Sequence, residues 1–544
     1  MSWVRRAAAA LIAAAGIVGL FLGYLRMSRT VSINADGASN AIQAWDMIHG
    51  NPLLRGWTVT DVSFYTTELV QYVLVELVYG YHPDVIHAAA AMTYTLALLL
   101  AAILAKGRAT GRQAVVRVGV AVAIMLVPGP LTGYTIVLGS PAHFGTSVPL
   151  LVTWLLLDRA DTGRDGSPHD RVPRWLACAV AVLLAWGTVA DPLVMYVGAL
   201  PLAVVSLVRM AGERRFTPHR WRGPDAHLLL AAVASVALAR AFLATVRLAG
   251  GFHVHTPIAE FAPLGKVGTH LWLLIRTLAV LFGAYFPDLP GPLGVAMGVL
   301  NLAGIVLVTA AVTVVTTRTV RTTIRGRGWS PGDRATQVLA CAIGVNLCAF
   351  VVSTLPTDLM STRQIAVVLP MGAALAGRVL AHRLAAPRLV PALAGALLVL
   401  ACAFVVRATD RPVTENGHDV GQWLASRNLT HGIGSYWGAN IVTLNTGGQV
   451  TVAPTIGVGD RIMGYRWESR ADWYDPERHD ARFLVLDLDN PGYGTEAVAL
   501  RQFGTPLERK DFGRFAVLVY RHNLLVDLPA FCVPEVAQRM ADCP

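Results

Sequence analysis

The sequence contains no phosphate-binding loop, no ATP motif and no Ser/His/Asp hydrolase signature. It also lacks a C-x-x-C pair, the spacing typical of a cysteine metal site. Charged residues make up only 15% of the chain, and acidic ones number 34. These absences argue against nucleotide-driven chemistry, a cysteine-held metal and a hydrolase triad.

Cysteines are also few, and most are placed where packing explains them. Cys532 and Cys543 lie in the polar C-terminal tail and can pair if that tail is outside the cell, where disulfides persist. The other four lie in apolar blocks, where free cysteine behaves as a small packing residue: Cys178, Cys341, Cys348 and Cys402.

Apolar residues, in contrast, are abundant and clustered. They make up 54% of the chain, and the mean hydropathy is +0.51, whereas a soluble domain is about 45–50% apolar. They form blocks of about 17–25 residues, the length that crosses a bilayer as a helix. The first block, 7–26, is long for a signal peptide and no small-residue cleavage site follows it. The sequence therefore predicts a polytopic membrane protein with a retained first helix.

The basic loops predict the topology. Eleven blocks are expected to cross, and arginine-rich loops follow alternate ones, as the positive-inside rule requires. A twelfth segment, 268–286, is expected to be re-entrant or interfacial, because Arg276 in its middle is costly at the bilayer centre. The N-terminus is then cytoplasmic and the C-terminus extracytoplasmic. The crossing blocks are 7–26, 84–105, 114–127, 142–157, 174–190, 192–208, 226–248, 293–316, 335–353, 364–381 and 389–407.

Two outward parts of the chain carry structure of their own. The loop 27–83 has helical apolar spacing at Ala41, Ile42, Trp45 and Ile48, and again over 67–79, so two interfacial amphipathic helices are predicted. Their aromatic anchors would be Trp45, Trp57 and Tyr72. In the tail, "QVTVAP", "RFLVLDLD" and "RFAVLVYRH" predict strands and "DVGQWLASRN" a helix.

The predicted fold is thus an all-α polytopic core with a C-terminal α/β domain. Residues 1–407 form the transmembrane core, including the outer loop 27–83, and residues 408–544 form the extracytoplasmic domain. That domain shows no active site of its own in the sequence. The net charge of +11 comes from short loops between apolar blocks, so it indicates orientation in the plasma membrane and contact with lipids, not nucleic-acid binding.

Acidic residues gather directly after the first helix. "ADGASNAIQAWDMIHGNPL" opens with Asp36, continues as an amphipathic helix and ends in a Gly-x-Pro-like turn. This outline resembles the GT-C superfamily of integral membrane glycosyltransferases, which includes bacterial and actinobacterial members. The multi-spanning core and the outer α/β domain match as well. Many members carry two adjacent acids, whereas Gly37 follows here, so use of a divalent cation such as Mg²⁺ or Mn²⁺ stays open.

The resemblance implies an enzyme that moves a sugar, hexosyl or pentosyl, from a polyprenyl-phosphate donor. The acceptor would be an extracytoplasmic glycan, lipid or protein, and the anomeric carbon would be inverted. Asp36 would be the base that takes the acceptor proton, since burial at the rim of the membrane raises a carboxyl pKa. Arg363, in "LPTDLMSTRQIAVVLP", would bind the donor phosphate, and a guanidinium suits that role. His143, in "GSPAHFGTS", is a second phosphate ligand candidate.

Other polar residues of the outer face allow two interpretations each. Asp61 and Glu68 share the first loop and are candidates for a second acid, although Asp61 can be a helix cap. Asp191, in "TVADPLV", can bind substrate or cap the helix that begins at Pro192. His253 and His255 alternate in "GGFHVHTP" and lack an obvious acidic partner, which favours plain loop residues.

Two functions from other classes stay open. A lipid or solute transporter or flippase would show inverted repeats and broken helices near the midplane, and no convincing repeat is visible. A non-catalytic membrane scaffold would use the tail as an extracellular binding domain. Without nucleotide motifs, the energy for a transferase would come from the activated lipid-linked sugar.

Overall fold

The computed structural model describes residues 2–139, 142–160, 173–212, 223–254, 260–325, 333–532 and 535–537. A helical part comes first and a sheet-containing part follows. The helical part contains α1 (Ser2–Ser28), α2 (Ala35–Ile48), α3 (Glu68–Tyr79), α4 (Asp84–Lys106), α5 (Gly111–Met125), α6 (Thr132–Val137), α7 (Ser147–Ala160), α8 (Arg174–Ala190), a π-helical turn (Met195–Ala199), α9 (Leu200–Gly212), α10 (Pro224–Leu248), α11 (Val267–Leu281), α12 (Gly291–Arg325), α13 (Asp333–Val352), α14 (Val368–Leu384) and α15 (Val390–Arg407).

The chain is a multi-pass membrane protein. Among the described residues, seven helical segments are long and apolar enough to cross a bilayer. An eighth forms if the 3₁₀ helix Leu359–Ile365 and α14, which meet at a 55° bend, count as one span. The seven are Trp3–Ser28, Asp84–Lys106, Pro224–Leu248, Leu264–Asp288, Gly291–Arg325, Arg334–Val352 and Val390–Arg407.

Every predicted crossing block coincides with a helix. Four blocks fall on α5, α7, α8 and α9, which are shorter. The count of eleven and the orientation of the termini stay predictions. The segment Leu264–Asp288 meets the length and hydropathy test, so its interfacial placement also stays a prediction. Arg276 within it donates to the Tyr285 hydroxyl at 3.1 Å.

Small residues let the core helices approach closely. A Cβ at Gly377 of α14 would lie 2.6 Å from the Arg117 carbonyl oxygen of α5. A Cβ at Gly372 would lie 2.7 Å from Val308 of α12. Close backbone approach through small residues is how helices associate where no water is present to drive them together. Helix α14 is accordingly buried along nearly its whole length.

The C-terminal part is an α/β domain. Its eight-stranded mixed sheet has the order β11-β10-β5-β4-β3-β7-β9-β8. The predicted helix and the three predicted strands are confirmed as α16, β4, β7 and β9. The elements are α16 (His418–Ser426), β3 (His431–Ser435), α17 (Tyr436–Asn445), β4 (Thr451–Val458), β5 (Arg461–Tyr465), β7 (Phe483–Asp487), α18 (Glu496–Phe503), β8 (Glu508–Phe512), β9 (Phe515–Val519), β10 (Ala530–Cys532) and β11 (Glu535–Ala537). Cys543 lies outside the described residues, so the pairing expected for it is not described.

A second, small sheet joins the two parts of the chain. Strand β1 (Trp57–Val59) of the first outer loop pairs in parallel with β2 (His253–Val254) and antiparallel with β6 (Ser469–Arg470) of the C-terminal domain. The Glu415 carboxylate adds a second connection, because it accepts from the Ile33 amide and lies 2.9 Å from His87 Nε2. The boundary at 408 stays a prediction, but many contacts cross it.

The interfacial interpretation of the first outer loop needs correction. Trp57 and Tyr72 are 0% and 2% exposed, so they are not aromatic anchors at a lipid interface. The Trp57 indole donates to Asp46 at 2.8 Å. Helix α2 is buried from its first turn to Ala44 because it packs against α3 and α17. In contrast, α3 exposes Val70, Leu74, Leu77 and Val78 along one face, which fits the interfacial prediction.

Candidate functional site

Asp36 lies in the first turn of α2. The helix begins there because the Asn34 side chain accepts from the Gly37 amide at 2.9 Å, as an N-cap does. Asp36 Oδ1 accepts from the Tyr436 hydroxyl at 2.6 Å. Burial raises the pKa of Asp36, more than the Tyr436 hydrogen bond and the charge of Arg363 lower it. A carboxyl with a raised pKa at a helix N-terminus is a suitable general base.

Glu468 of the C-terminal domain shares the same tyrosine. The Tyr436 hydroxyl lies 2.7 Å from Glu468 Oε2. Glu468 is 1% exposed, and the Asn440 amide holds its carbonyl oxygen at 3.1 Å. Burial, and then the charge of Asp36, raise the pKa of Glu468 well above its ordinary range. Because a phenol has one hydrogen, only one of its two short contacts is a phenol donation, so one of the carboxyls must supply the other proton.

Asp61 is brought to the same site by its loop. Ser63 donates to the Val189 carbonyl at 2.7 Å, and the Phe64 amide donates to Ala190 at 3.1 Å. The loop is therefore fastened to the end of α8. Asp61 then acts electrostatically on Asp36 and Glu468, and it raises the pKa of both. It has no hydrogen-bond partner in the described parts of the chain.

His143 and Asp191 form a hydrogen-bonded pair beside these acids. His143 Nδ1 lies 2.8 Å from Asp191 Oδ2, and the Thr146 hydroxyl donates to the same oxygen at 2.6 Å. Burial disfavours the charged form of both side chains. The attraction and hydrogen bonds that each side chain receives are stronger in sum, so the pKa of His143 is raised and that of Asp191 is lowered. Asp191 also accepts from the Leu193 amide at 2.8 Å. It therefore caps the next helix, as one interpretation had it, and it also holds the imidazole of His143, while binding of substrate stays a prediction.

Glu68 lies at the start of α3 against the His143 loop. Burial raises its pKa to about 7, although a hydrogen bond from the Thr67 hydroxyl lowers it. Its Oε1 is buried and unpaired among the described residues. A side chain at Gly145 would overlap this carboxyl, so only glycine fits there. Glu68 is thus a neutral or easily protonated acid near neutral pH.

Arg363 supplies an exposed cation. It lies on the 3₁₀ helix Leu359–Ile365, whose start is fixed by a capping box between Asp358 and Ser361. No hydrogen bond or ion pair occupies its guanidinium within the part of the chain that is described. Its charge nevertheless acts on Asp36, His143 and Glu468. A guanidinium close to buried acids and without a partner is available to an anionic ligand.

Strained backbone occurs twice in this site. Both His143 and Glu468 have positive φ, at 59° and 49°. Each such residue costs about 1–3 kcal/mol unless the surroundings hold it, and such residues gather at functional sites. Here the loop contacts of His143 and the small sheet next to Glu468 hold them.

The structure brings together all six residues predicted for the site: Asp36, Asp61, Glu68, His143, Asp191 and Arg363. Tyr436 and Glu468 were missed. A weak signal for them was present, because "SYWGAN" and "GYRWESR" place aromatic residues next to a strand end and an acid in a domain otherwise without candidates.

Two other polar residues, Asp46 and His253, are not part of this cluster. Asp46 accepts from Trp57 and pairs with Arg470 at 2.9 Å, so it holds the two domains together. His253 lies in β2, and His255 lies outside the described residues. No group of three or more His, Cys, Asp or Glu side chains in the described ranges is placed to hold a metal ion, and the use of a divalent cation such as Mg²⁺ or Mn²⁺ stays a prediction.

The fold has known counterparts. No family model matches the chain, and no curated protein matches it in sequence. Among solved structures, it is similar to ArnT from Cupriavidus metallidurans bound to undecaprenyl phosphate, with 12% identity over 93% of this chain and 97% of that one, at a TM-score of 0.54. A looser likeness is to the archaeal oligosaccharyltransferase AglB from Archaeoglobus fulgidus in complex with an inhibitory peptide and a dolichol-phosphate, with 12% identity over 90% of this chain and 71% of that one, at a TM-score of 0.46.

The first of these likenesses defines the class of fold. It extends over nearly the full length of both chains and includes the helical core and the C-terminal domain. The chain shares the fold of this ArnT structure, and a fold of this kind is what the resemblance of the stretch after its first helix predicts.

Glu68 predicts a pH dependence of stability. Its pKa rises from 4.5 to about 7 in the folded protein, so the folded state binds more protons between these values. The contribution of Glu68 to the free energy of unfolding is therefore highest at low pH, where Glu68 is protonated in both states, and it declines as the pH rises through that interval. We expect Glu68→Gln, neutral in both states, to lose less thermal stability than the parent between about pH 5 and pH 8.

Thermal unfolding of the detergent-solubilised protein measures this difference. Glu496→Gln is the matched control, since Glu496 is an exposed acid paired with Arg509 on the surface. Its melting temperature should follow the parent at every pH. Equal pH dependence in Glu68→Gln and the parent would contradict the assignment.

Proposed function

We propose that this protein is a membrane glycosyltransferase that moves a sugar from a polyprenyl-phosphate donor to an extracytoplasmic acceptor. The observation that carries the proposal is Asp36, a carboxyl of raised pKa, within electrostatic reach of the guanidinium of Arg363, which has no partner among the described residues. The carboxylate of Asp36 is suited to take the proton of the acceptor hydroxyl, and the guanidinium of Arg363 is suited to bind the phosphate that leaves. The GT-C fold supports the class of reaction, and undecaprenyl phosphate in the similar structure supports the class of donor.

The transfer is a single displacement. The acceptor oxygen bonds to the anomeric carbon while the bond from that carbon to the phosphate oxygen breaks, which inverts the centre. The acceptor proton goes to Asp36 Oδ2, because Oδ1 is held by Tyr436. The charge that develops on the lipid phosphate is met by Arg363 and by the imidazole of His143, whose pKa is raised by Asp191 against the effect of burial. Asp61 and Glu68 are placed to bind sugar hydroxyls.

Tyr436 and Glu468 act as positioning residues for the base. Asp36 is at the positive end of α2 and near Arg363, which favours its ionised form. Glu468 is the more deeply buried acid, so it is the protonated partner. Tyr436 then donates to Asp36 and accepts from Glu468, and this chain fixes the orientation of the base.

Replacing Asp36 with asparagine tests whether this residue is the general base. We expect Asp36→Asn to lose turnover by about 100-fold or more, the usual worth of a general base, while the protein still folds. Transfer of radiolabelled sugar from a polyprenyl-phosphate donor in membranes measures it, with size-exclusion elution as the folding control. Asp419→Asn, at an exposed acid of α16, is the control and should keep activity. Full turnover in Asp36→Asn would remove Asp36 as the base, whereas no sugar transfer by the parent protein would favour a transporter or a scaffold.

Arg363 is tested through donor affinity. We expect Arg363→Ala to raise the KM for the donor by about tenfold or more, one lost charged hydrogen bond being worth roughly 1.5–3 kcal/mol. Arg363→Lys should recover part of this loss, because lysine keeps the positive charge but cannot donate two parallel hydrogen bonds to a phosphate as a guanidinium does. Arg427→Ala, which breaks an exposed pair with Glu508, is the control and should leave KM unchanged. An unchanged donor KM in Arg363→Ala would remove Arg363 from the site.

Glu468 is tested through the pH profile. Glutamine can donate to Tyr436 as the protonated acid does, so Glu468→Gln should keep turnover near neutral pH, whereas Glu468→Ala should not. In the parent, ionisation of Glu468 at rising pH would leave Tyr436 between two carboxylates and reduce turnover. Glu468→Gln should lack that alkaline decline. The charged or titratable groups that act with Glu468 are Asp36, Asp61, Tyr72, Arg363, Tyr436 and Tyr465.

Comparing Glu468→Gln with Glu468→Ala distinguishes a role in positioning the base from a role in packing alone. A structural role alone would make Glu468→Gln and Glu468→Ala lose activity alike, with an unchanged pH profile. Tyr436→Phe removes the shared hydroxyl but keeps the ring, and it should resemble Glu468→Ala.

A further inference from the structure

Four aromatic side chains of the C-terminal domain form a group beside the base, and they are neither fully buried nor fully exposed. We name Trp437, Tyr465, Trp467 and Tyr493 the aromatic platform. Residues of a hydrophobic core are normally buried, as Phe483 and Val485 of this domain are. Rings that keep part of their surface open are available to a ligand.

The rings contact one another in a connected set. Tyr465 and Trp467 are parallel within 4°, with ring centroids 6.1 Å apart. Trp437 and Tyr493 meet at 80°, with centroids 6.3 Å apart. The platform therefore offers ring faces in more than one orientation.

The backbone fixes these rings in place. Arg466, between Tyr465 and Trp467, is 4% exposed and donates to Thr58 at 3.0 Å, so it points away from the rings on either side. Tyr493 ends a 3₁₀ turn over Pro491–Tyr493. That turn lies against β4 so closely that a Cβ at Gly457 would be 2.8 Å from the Gly492 carbonyl oxygen. Rigid aromatic groups lose little entropy when a ligand binds.

The platform is continuous with the proposed base. Tyr436, whose hydroxyl contacts Asp36, packs its ring on Trp437, Tyr465 and Tyr493, with centroids 5.0, 5.7 and 5.9 Å away. The charge of Asp36 also acts on the phenols of Tyr465 and Tyr493. A molecule lying on the platform would thus present its edge to Asp36.

Aromatic faces next to carboxylates suit a carbohydrate. One face of a sugar ring carries C–H groups that pack on an aromatic ring, while its edge carries hydroxyls that donate to acids such as Asp36, Asp61 and Glu468. A lipid chain would leave these acids unpaired and desolvated, which is costly. We propose that the acceptor is a carbohydrate and that the aromatic platform binds it. This inference rests on the proposed function and selects among the acceptor classes.

Binding of saccharides to the full-length, detergent-solubilised protein tests the platform without requiring turnover. The probes are a linear mannotriose and a linear arabinotriose, which represent six-membered and five-membered sugar rings, followed by saturation-transfer NMR and titration. We expect saturable binding of at least one probe, weakened tenfold or more in Trp467→Ala and in Tyr493→Ala. Trp423→Ala is the control, since Trp423 is also partly exposed but packs on Phe512 and Arg427.

Three outcomes would overturn the inference. These are no saturable binding of either saccharide, equal binding by Trp467→Ala and the parent, and displacement of the probe only by a serine-containing peptide or by phosphatidylglycerol vesicles. Asp36→Asn separates this inference from the proposed function. If that variant binds saccharide and keeps full turnover, the base assignment fails and the platform stands; if it loses turnover and no saccharide binds to either protein, the platform alone fails.

Discussion

The shared hydroxyl of Tyr436 is the contact on which the arrangement of the site depends. It joins Asp36 of the first outer loop to Glu468 of the C-terminal domain, although Tyr436 and Asp36 are 400 residues apart. Two buried carboxyls next to each other repel unless a proton lies between them. The phenol allows one proton to be shared along the chain, so the two domains can meet through their acids.

Acidic groups outnumber cationic groups around this contact, and this excess favours the binding of a ligand. Asp36, Asp61 and Glu468 act on one another, and Asp191 is satisfied by His143. Arg363 is within reach of these acids but is engaged by none of them among the described residues. A surplus of acids next to a guanidinium that no described residue pairs suits a neutral polyhydroxyl group and a phosphate together. It does not suit a core built for stability, where buried charges are paired.

Each group is placed by backbone that belongs to a different element. An N-cap begins α2 at Asp36, the end of α8 holds the loop of Asp61, and a capping box starts the 3₁₀ helix of Arg363. The three-stranded sheet brings Glu468 to the domain interface through β6. Because these anchors lie on packed helices and strands, the site is built before any ligand arrives, which is what electrostatic stabilisation of a transition state requires.

Local pattern was enough for much of this protein. Apolar blocks, basic loops and alternating strands determined the helical membrane core and the α/β tail, and the acid after the first helix identified the class of fold. Pattern failed where a distant segment covers a residue. Trp57 and Tyr72 carry the signature of interfacial anchors, yet the C-terminal domain and α2 bury them. Glu468 and the aromatic platform carry only the weak local signature of "SYWGAN" and "GYRWESR".

Hydropathy, charge and spacing along the chain were thus sufficient to predict the helical membrane core and the α/β tail, and to single out Asp36 and Arg363 as candidate site residues. The choice of Tyr436 as the hydrogen-bond partner of Asp36 came from tertiary contacts alone. That choice depends on the pairing of β1 with β6 and on the packing of α17 against α2, and neither is encoded within any short window of residues.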